Sequence, residues 1–412
     1  MSPSADASQQ GGRIQQLGDA FDLLAAYSGG GFLFERAGSG VSASPPMVAT
    51  APLASVPGML ADVDRAIAGG GRTVAIGTIP FRDADGTTLS VATRTARRTA
   101  PGETALIEVG DDVVARSESS FARMFDRMPG SIPREPFTAR QLDAIPAPEG
   151  YAAAVAEVVR RLDAGLRKVV LARTIEVDAG RELDGWRLAH RLRAVNPDAF
   201  TFAVPTMAGI LVGASPELLV SRFGREVRSN PLAGSAARSG DPDEDRANAD
   251  ALLASSKDQE EHAIVVDWIA RALRPFCREL TWDAAPTLLE TPNVWHLSTR
   301  FRGLLREPSP DVLELVGALH PTPAVAGDPR EAALEVIGEF EPFDRGSYAG
   351  PVGWMDASGD GEWAIALRCA ELRGDRATLY AGAGIVAGSQ PEGEVDETER
   401  KFRAFLDALR WG

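Results

Sequence analysis

The segment YAAAVAEVVRRLDAGLRKVVLARTIEV, residues 151–177, decides the fold class. Its first part carries apolar residues at helical spacing as far as Gly165, a candidate cap, and KVVLARTIEV is an apolar run of strand length rich in β-branched residues. The same alternation continues toward the C-terminus. A helix in DGWRLAHRLRAVN precedes strands within AFTFAVPTMAGILVGASPELLVSRFGREVRSNPLAG, and residues 241–276 read as one long helical region. A helix in PSPDVLELVGALHP leads into a loop, strands and turns run from YAGPVGW to AGAGIVAGS, and DETERKFRAFLDAL is the last helix. Toward the N-terminus, FLFERAGSGV, TVAIGTIPF and TLSVATRTARRT read as antiparallel strands ended by turn residues. Residues 1–16 are polar and expected to be flexible, and residues 127–150, with Pro129, Pro133, Pro136, Pro146 and Pro148, to connect two halves. Helices interspersed with hairpins specify an α+β fold rather than a regularly wound parallel sheet.

Composition narrows the function. Of 412 residues, 44% are hydrophobic and 25% charged, enough for a large buried core. Lys and Arg number 43 against 58 Asp and Glu, a net charge of -15 that repels a phosphate backbone, and no basic run interleaved with aromatics offsets it. Nucleic acid is therefore not the expected partner. No apolar run approaches the roughly 18 residues of a membrane span, and no secretory leader opens the chain, so a cytoplasmic location without membrane contact is expected. Cys277 and Cys369 lack CxxC spacing, and only four His are present, so a bound metal should be a hard cation held by carboxylates, which points to Mg²⁺.

Three patterns carry chemistry. AGAGIVAG, residues 381–388, lacks the third glycine of a dinucleotide fingerprint; Gly382 and Gly384 either let an anion approach backbone N–H groups or serve tight sheet packing. Asp258 and Glu261 in SSKDQEEHAIVV, and Glu394 and Glu397 in GEVDETERK, are each three apart and so share a helix face, with Lys401 four beyond Glu397. Such pairs suit an octahedral Mg²⁺ that keeps several waters, or a solvated face. Finally, Lys168, Glu217 and Arg368 interrupt apolar strands, where a charge needs a partner or a shifted pKa.

KVVLAR, GASPELL, NPLAGSAAR, SSKDQEEH, WHLSTRFRG, LHPTPAVAG, YAGPVGW, AIALRCAE and AGAGIVAGSQPEGEVDETERK, in this order over residues 150–412, resemble the chorismate-utilizing enzymes and, among them, the isochorismate synthases. The resemblance implies one large domain over 17–412, with a divergent part over 17–150 and the motifs over 151–412. Two pseudo-symmetric halves would pack antiparallel sheets together with helices outside. It also implies catalytic roles for Lys168 as the base that activates water, Glu217 as the acid, and His296 facing the ring. Glu261 and Glu397 would bind Mg²⁺, with Asp258 and Glu394 assisting. The substrate, chorismate, would meet Gly234, Ser235, Ala324, Tyr348, Arg368, Gly382, Gly384 and Lys401. LHPTPAVAG favours isochorismate formation for catecholate siderophores, with salicylate synthesis, menaquinone biosynthesis and a non-catalytic chorismate-binding subunit as alternatives. A monomer without an amidotransferase subunit is expected.

Overall fold

The computed structural model describes residues 13–17, 21–27, 30–67, 73–82, 86–99, 103–109, 140–163 and 165–409. Two long strands, Ser39–Pro52 and Thr88–Arg98, form a ribbon whose register breaks between Ser44 and Met47. Sheet spreads from this ribbon in two directions, antiparallel throughout. One direction runs from Ser39–Pro52 through Phe32–Arg36, Phe200–Pro205, Ile210–Ser215, Cys369–Arg373 and Arg376–Ile385 to Lys168–Asp178. The other runs from Thr88–Arg98 through Val74–Thr78, Pro351–Asp356, Gly361–Ile365, Leu218–Phe223, Glu226–Asn230 and Phe301–Leu305 to Cys277–Trp282. A separate three-stranded sheet joins Leu232–Ala237, Val294–Ser298 and Thr287–Glu290.

Period-two alternation lets each strand serve two layers. Phe34, Phe200, Phe202 and Leu211 of one direction pack in the same buried cluster as Leu218, Val220, Trp354 and Trp363 of the other, so the halves share one apolar interior. Leu33, Ala203 and Val212, one step out of phase, bury instead beneath the helices Gly185–Val195 and Pro391–Leu409, against Leu188, Leu192, Phe402 and Phe405. At about 1.5–3 kcal/mol per large buried side chain, this interior drives folding of the α+β domain.

Several elements differ from the expectation. Residues 13–16 belong to a strand, Arg13–Leu17, paired with Thr104–Glu108, while residues 1–12 lie outside the described residues. In the expected connection, residues 127–139 lie outside the described residues, but Arg140–Ile145 is a strand on Lys168–Asp178 and Pro148 begins the next helix. That helix ends at Arg161 with Leu162 as its cap, and Gly165 instead sits in a turn where its N–H donates to Asp163. The long helical region is two helices, Pro242–Ala254 and Ser256–Leu273, because Ser255 is extended and caps the second. The expected loop contains the helix Arg330–Phe340, and the last helix starts at Pro391.

Candidate active site

Glu217 and Arg368 do not interrupt strands; they stand where the chain leaves one sheet direction for the other. Glu217 lies between Ile210–Ser215 and Leu218–Phe223, and Arg368 between Gly361–Ile365 and Cys369–Arg373. The two crossings are tied together: the Ala214 N–H donates to the Arg368 carbonyl at 3.2 Å, and the Ile365 N–H to the Glu217 carbonyl at 3.2 Å. Arg368 adopts φ +50°, a left-handed backbone costing about 1–2 kcal/mol. Its guanidinium donates to His296 Nε2 at 3.0 Å. Burial, together with the charges of Arg368 and Lys401, holds the His296 pKa well below its usual value, leaving a neutral ring able to accept that bond.

Two helix starts deliver the carboxylates. Ser255 accepts from the Asp258 N–H at 3.2 Å, and its hydroxyl donates to the Asp258 carboxylate. Glu261, one turn on, pairs with the fully buried Lys168 at 2.9 Å. On the helix Pro391–Leu409, Glu394 pairs with Lys257 at 2.8 Å and Glu397 with Lys401 at 2.6 Å; Lys401 also donates to the Gly382 carbonyl at 2.7 Å. The glycines make room for these groups. A Cβ on Gly384 would stand 2.1 Å from Glu261 Oε1 and 3.0 Å from Lys168 Cε, and Gly234, at φ +78°, has Asp258 Cβ 3.0 Å from where its own would be. A Cβ on Gly382 would meet the Leu171 carbonyl at 3.0 Å and the Tyr348 hydroxyl at 3.3 Å.

These elements line a partly open cavity of about 680 Å³, its solvent-filled mouth included. Glu217, Gly234, Ser235, Glu261, His296, Ala324, Tyr348, Arg368, Gly382, Gly384, Glu397 and Lys401 all line it. Lys168 stands behind Glu261 rather than in the wall, and Asp258 and Glu394 are likewise outside the lining. Burial pushes the Glu217 pKa up to about 8; an N–H from Leu232 and the charges of Lys168, Arg368 and Lys401 offset this only in part. Burial also acts on Glu397, but Lys401, Lys257 and a hydrogen bond from Ser235 outweigh it and bring the pKa down to about 2. Burial raises Asp258 and Glu394, the latter helped by the neighbouring Glu397 charge.

Among the described residues, no group of three or more Asp, Glu, His or Cys side chains is placed to hold a metal unaided, so the four carboxylates are not one ligand cluster. Glu261 and Glu397 nevertheless fit Mg²⁺: both are oxygen donors in one cavity wall, and this ion takes one or two carboxylates and completes its shell with waters and substrate oxygens.

Sequence reasoning missed Arg345, Tyr380 and Lys257. Arg345 lines the cavity and binds Glu341 at 2.8 and 2.5 Å, the Val325 carbonyl at 2.7 Å and the Val170 carbonyl at 2.8 Å. It thereby clamps the LHPTPAVAG segment to the strand that begins at Lys168. Tyr380 stacks on Tyr348 with ring centroids 4.9 Å apart. The signal for Lys257 was its place in SSKDQEEH beside two expected acids.

An antiparallel α+β scaffold whose sheet crossings carry an acid and an arginine into one cavity defines the class. The family model described as chorismate binding enzyme matches residues 102–410, and the chain belongs to that family. It is 48% identical over 273 residues to isochorismate synthase DhbC of Bacillus subtilis (strain 168), covering 64% of this chain and 69% of the relative. It is 42% identical over 270 residues to the vibriobactin-specific isochorismate synthase of Vibrio cholerae serotype O1, covering 65% of this chain and 68% of the relative. The solved structure of DhbC from Bacillus anthracis superimposes with a TM-score of 0.80 at 36% identity, covering 95% of this chain and 99% of that one.

Proposed function

We propose that this protein is an isochorismate synthase, adding water at C2 of chorismate while the C4 hydroxyl leaves. The observation that carries the reading is Glu217: a buried carboxyl pushed up to about 8 stays protonated at neutral pH and can donate. Hydroxide is a poor leaving group and water a poor nucleophile, so the reaction needs such an acid together with a base. Glu217 gives its proton to the departing C4 oxygen. Lys168, paired with Glu261 at 2.9 Å, takes the proton of the attacking water. Arg368, Lys401 and Tyr348 line the same cavity and suit the two substrate carboxylates. Glu261 and Glu397 would hold Mg²⁺, which supplies charge neutralisation for a substrate carboxylate and draws electron density from the diene.

The route we assign is catecholate siderophore synthesis, in line with the likeness to DhbC and to the vibriobactin-specific enzyme. The protein is taken to work as a monomer in the cytoplasm, without an amidotransferase subunit; among the described residues no helix is long and apolar enough to cross a membrane. The test is incubation of purified protein with chorismate, with and without Mg²⁺, followed by product separation. Isochorismate in equilibrium with chorismate, formed only with the metal, is expected. Salicylate with stoichiometric pyruvate, or turnover indifferent to the metal, contradicts the reading.

A further inference from the structure

Lys168, Lys257 and Lys401 each pair with one of Glu261, Glu394 and Glu397. Two of these lysines have work in the proposed reaction: Lys168 handles the water's proton, and Lys401 faces the cavity. Lys257 does neither. It lies outside the cavity lining, and its ammonium stands 2.8 Å from Glu394, a buried residue that also accepts from Ser389. Its position nonetheless ties together the two helices that carry the proposed ligands. Lys257 is one helical turn before Glu261, and its stem passes the turn that leads to Glu394 and Glu397, with Cγ 3.5 Å from where a Gly388 Cβ would be. Its charge acts on Glu397, and the charges of Glu261 and Glu397 act on it in return.

Resting on the Mg²⁺ reading of the site, we infer that Lys257 weakens the hold of the substrate-free site on a divalent cation. Its fixed positive charge, held at Glu394 one helical turn before Glu261, opposes the metal through space. The three glutamates are already balanced by three ammonium groups, so a lone divalent ion arrives at a site with little net negative charge to offer. A dianionic substrate restores that charge, and the metal is then held where it is needed.

The experiment is calorimetric titration of MgCl₂ into the substrate-free full-length protein. Lys257→Gln removes the charge but keeps a donor for Glu394, and Lys257→Met removes both. Coulomb repulsion between a unit and a double charge in a partly buried site predicts about ten-fold tighter Mg²⁺ binding for Lys257→Gln, and a smaller tightening for Lys257→Met. Structural damage can only weaken binding, so a gain reports the charge itself. Unchanged or weaker binding by Lys257→Gln, with the wild type binding, overturns the inference alone. No uptake by either variant without substrate also overturns the inference, and no uptake by any of the three proteins with chorismate present overturns the metal reading as well.

Discussion

Glu217 and Glu397 line one cavity and are the same residue type, the first buried and the second half-buried, yet one is held near pKa 8 and the other near 2. Contact adds to the difference in burial. Lys168, Arg368 and Lys401 reach Glu217 only through space, so desolvation dominates. Glu397 has Lys401 at 2.6 Å and a hydroxyl from Ser235, so its anion is the better solvated form. One wall therefore keeps a proton and the other a charge, which suits the proposed donation by Glu217 and the proposed cation at Glu397. The same side chain is assigned two trades by its neighbours.

The contrast breaks first at Glu217. Replacing it with Gln removes the proton donor at constant shape, and turnover should fall by about 10³-fold. Chorismate binding, read by titration, should change only a few-fold, and near-normal turnover would remove Glu217 from the acid role.

Stability against pH should show opposite signs at the two residues. Glu217 keeps its proton when folded and loses it when unfolded above about pH 4.3, so its contribution falls as pH rises from there to about 8. Glu397 contributes above about pH 4.3 and loses that contribution as pH drops toward 2. At pH 7 the Glu217 cost is on the order of 3 kcal/mol, and urea melts of Glu217→Gln should lack this decline between about pH 4.3 and 8.

Lys401→Met leaves the Glu397 carboxylate without its partner. It should destabilise the fold by about 2–3 kcal/mol at pH 7 and less at pH 4, where protonation relieves the stranded charge. The smallest effect is expected at His296. His296→Leu removes the acceptor that holds Arg368, and KM for chorismate should rise about five-fold, worth about 1 kcal/mol, with kcat nearly unchanged.

Helices and strands of residues 151–412 were legible because their periods are strong, and the cavity residues because they cluster in short motifs. Illegible were features made by distant chain segments. Arg345 earns its place through Val170 and Val325, far from it in sequence, and Lys257 through Glu394, 137 positions away. The charges at 217 and 368 looked like breaks in strands because a sheet crossing has no one-dimensional signature. Arg140–Ile145 was hidden by flanking prolines, and Arg330–Phe340 by the loop-like segment before it.

The proposed reaction exchanges oxygen with solvent, water entering at C2 as the C4 hydroxyl leaves with a proton from Glu217. It is tested most directly by turnover in ¹⁸O-labelled water, comparing wild type with Glu217→Gln by mass spectrometry. Isochorismate carrying one ¹⁸O at C2 is expected from the wild type, and essentially none from the variant. Unlabelled isochorismate, or equal labelling in both proteins, would contradict it.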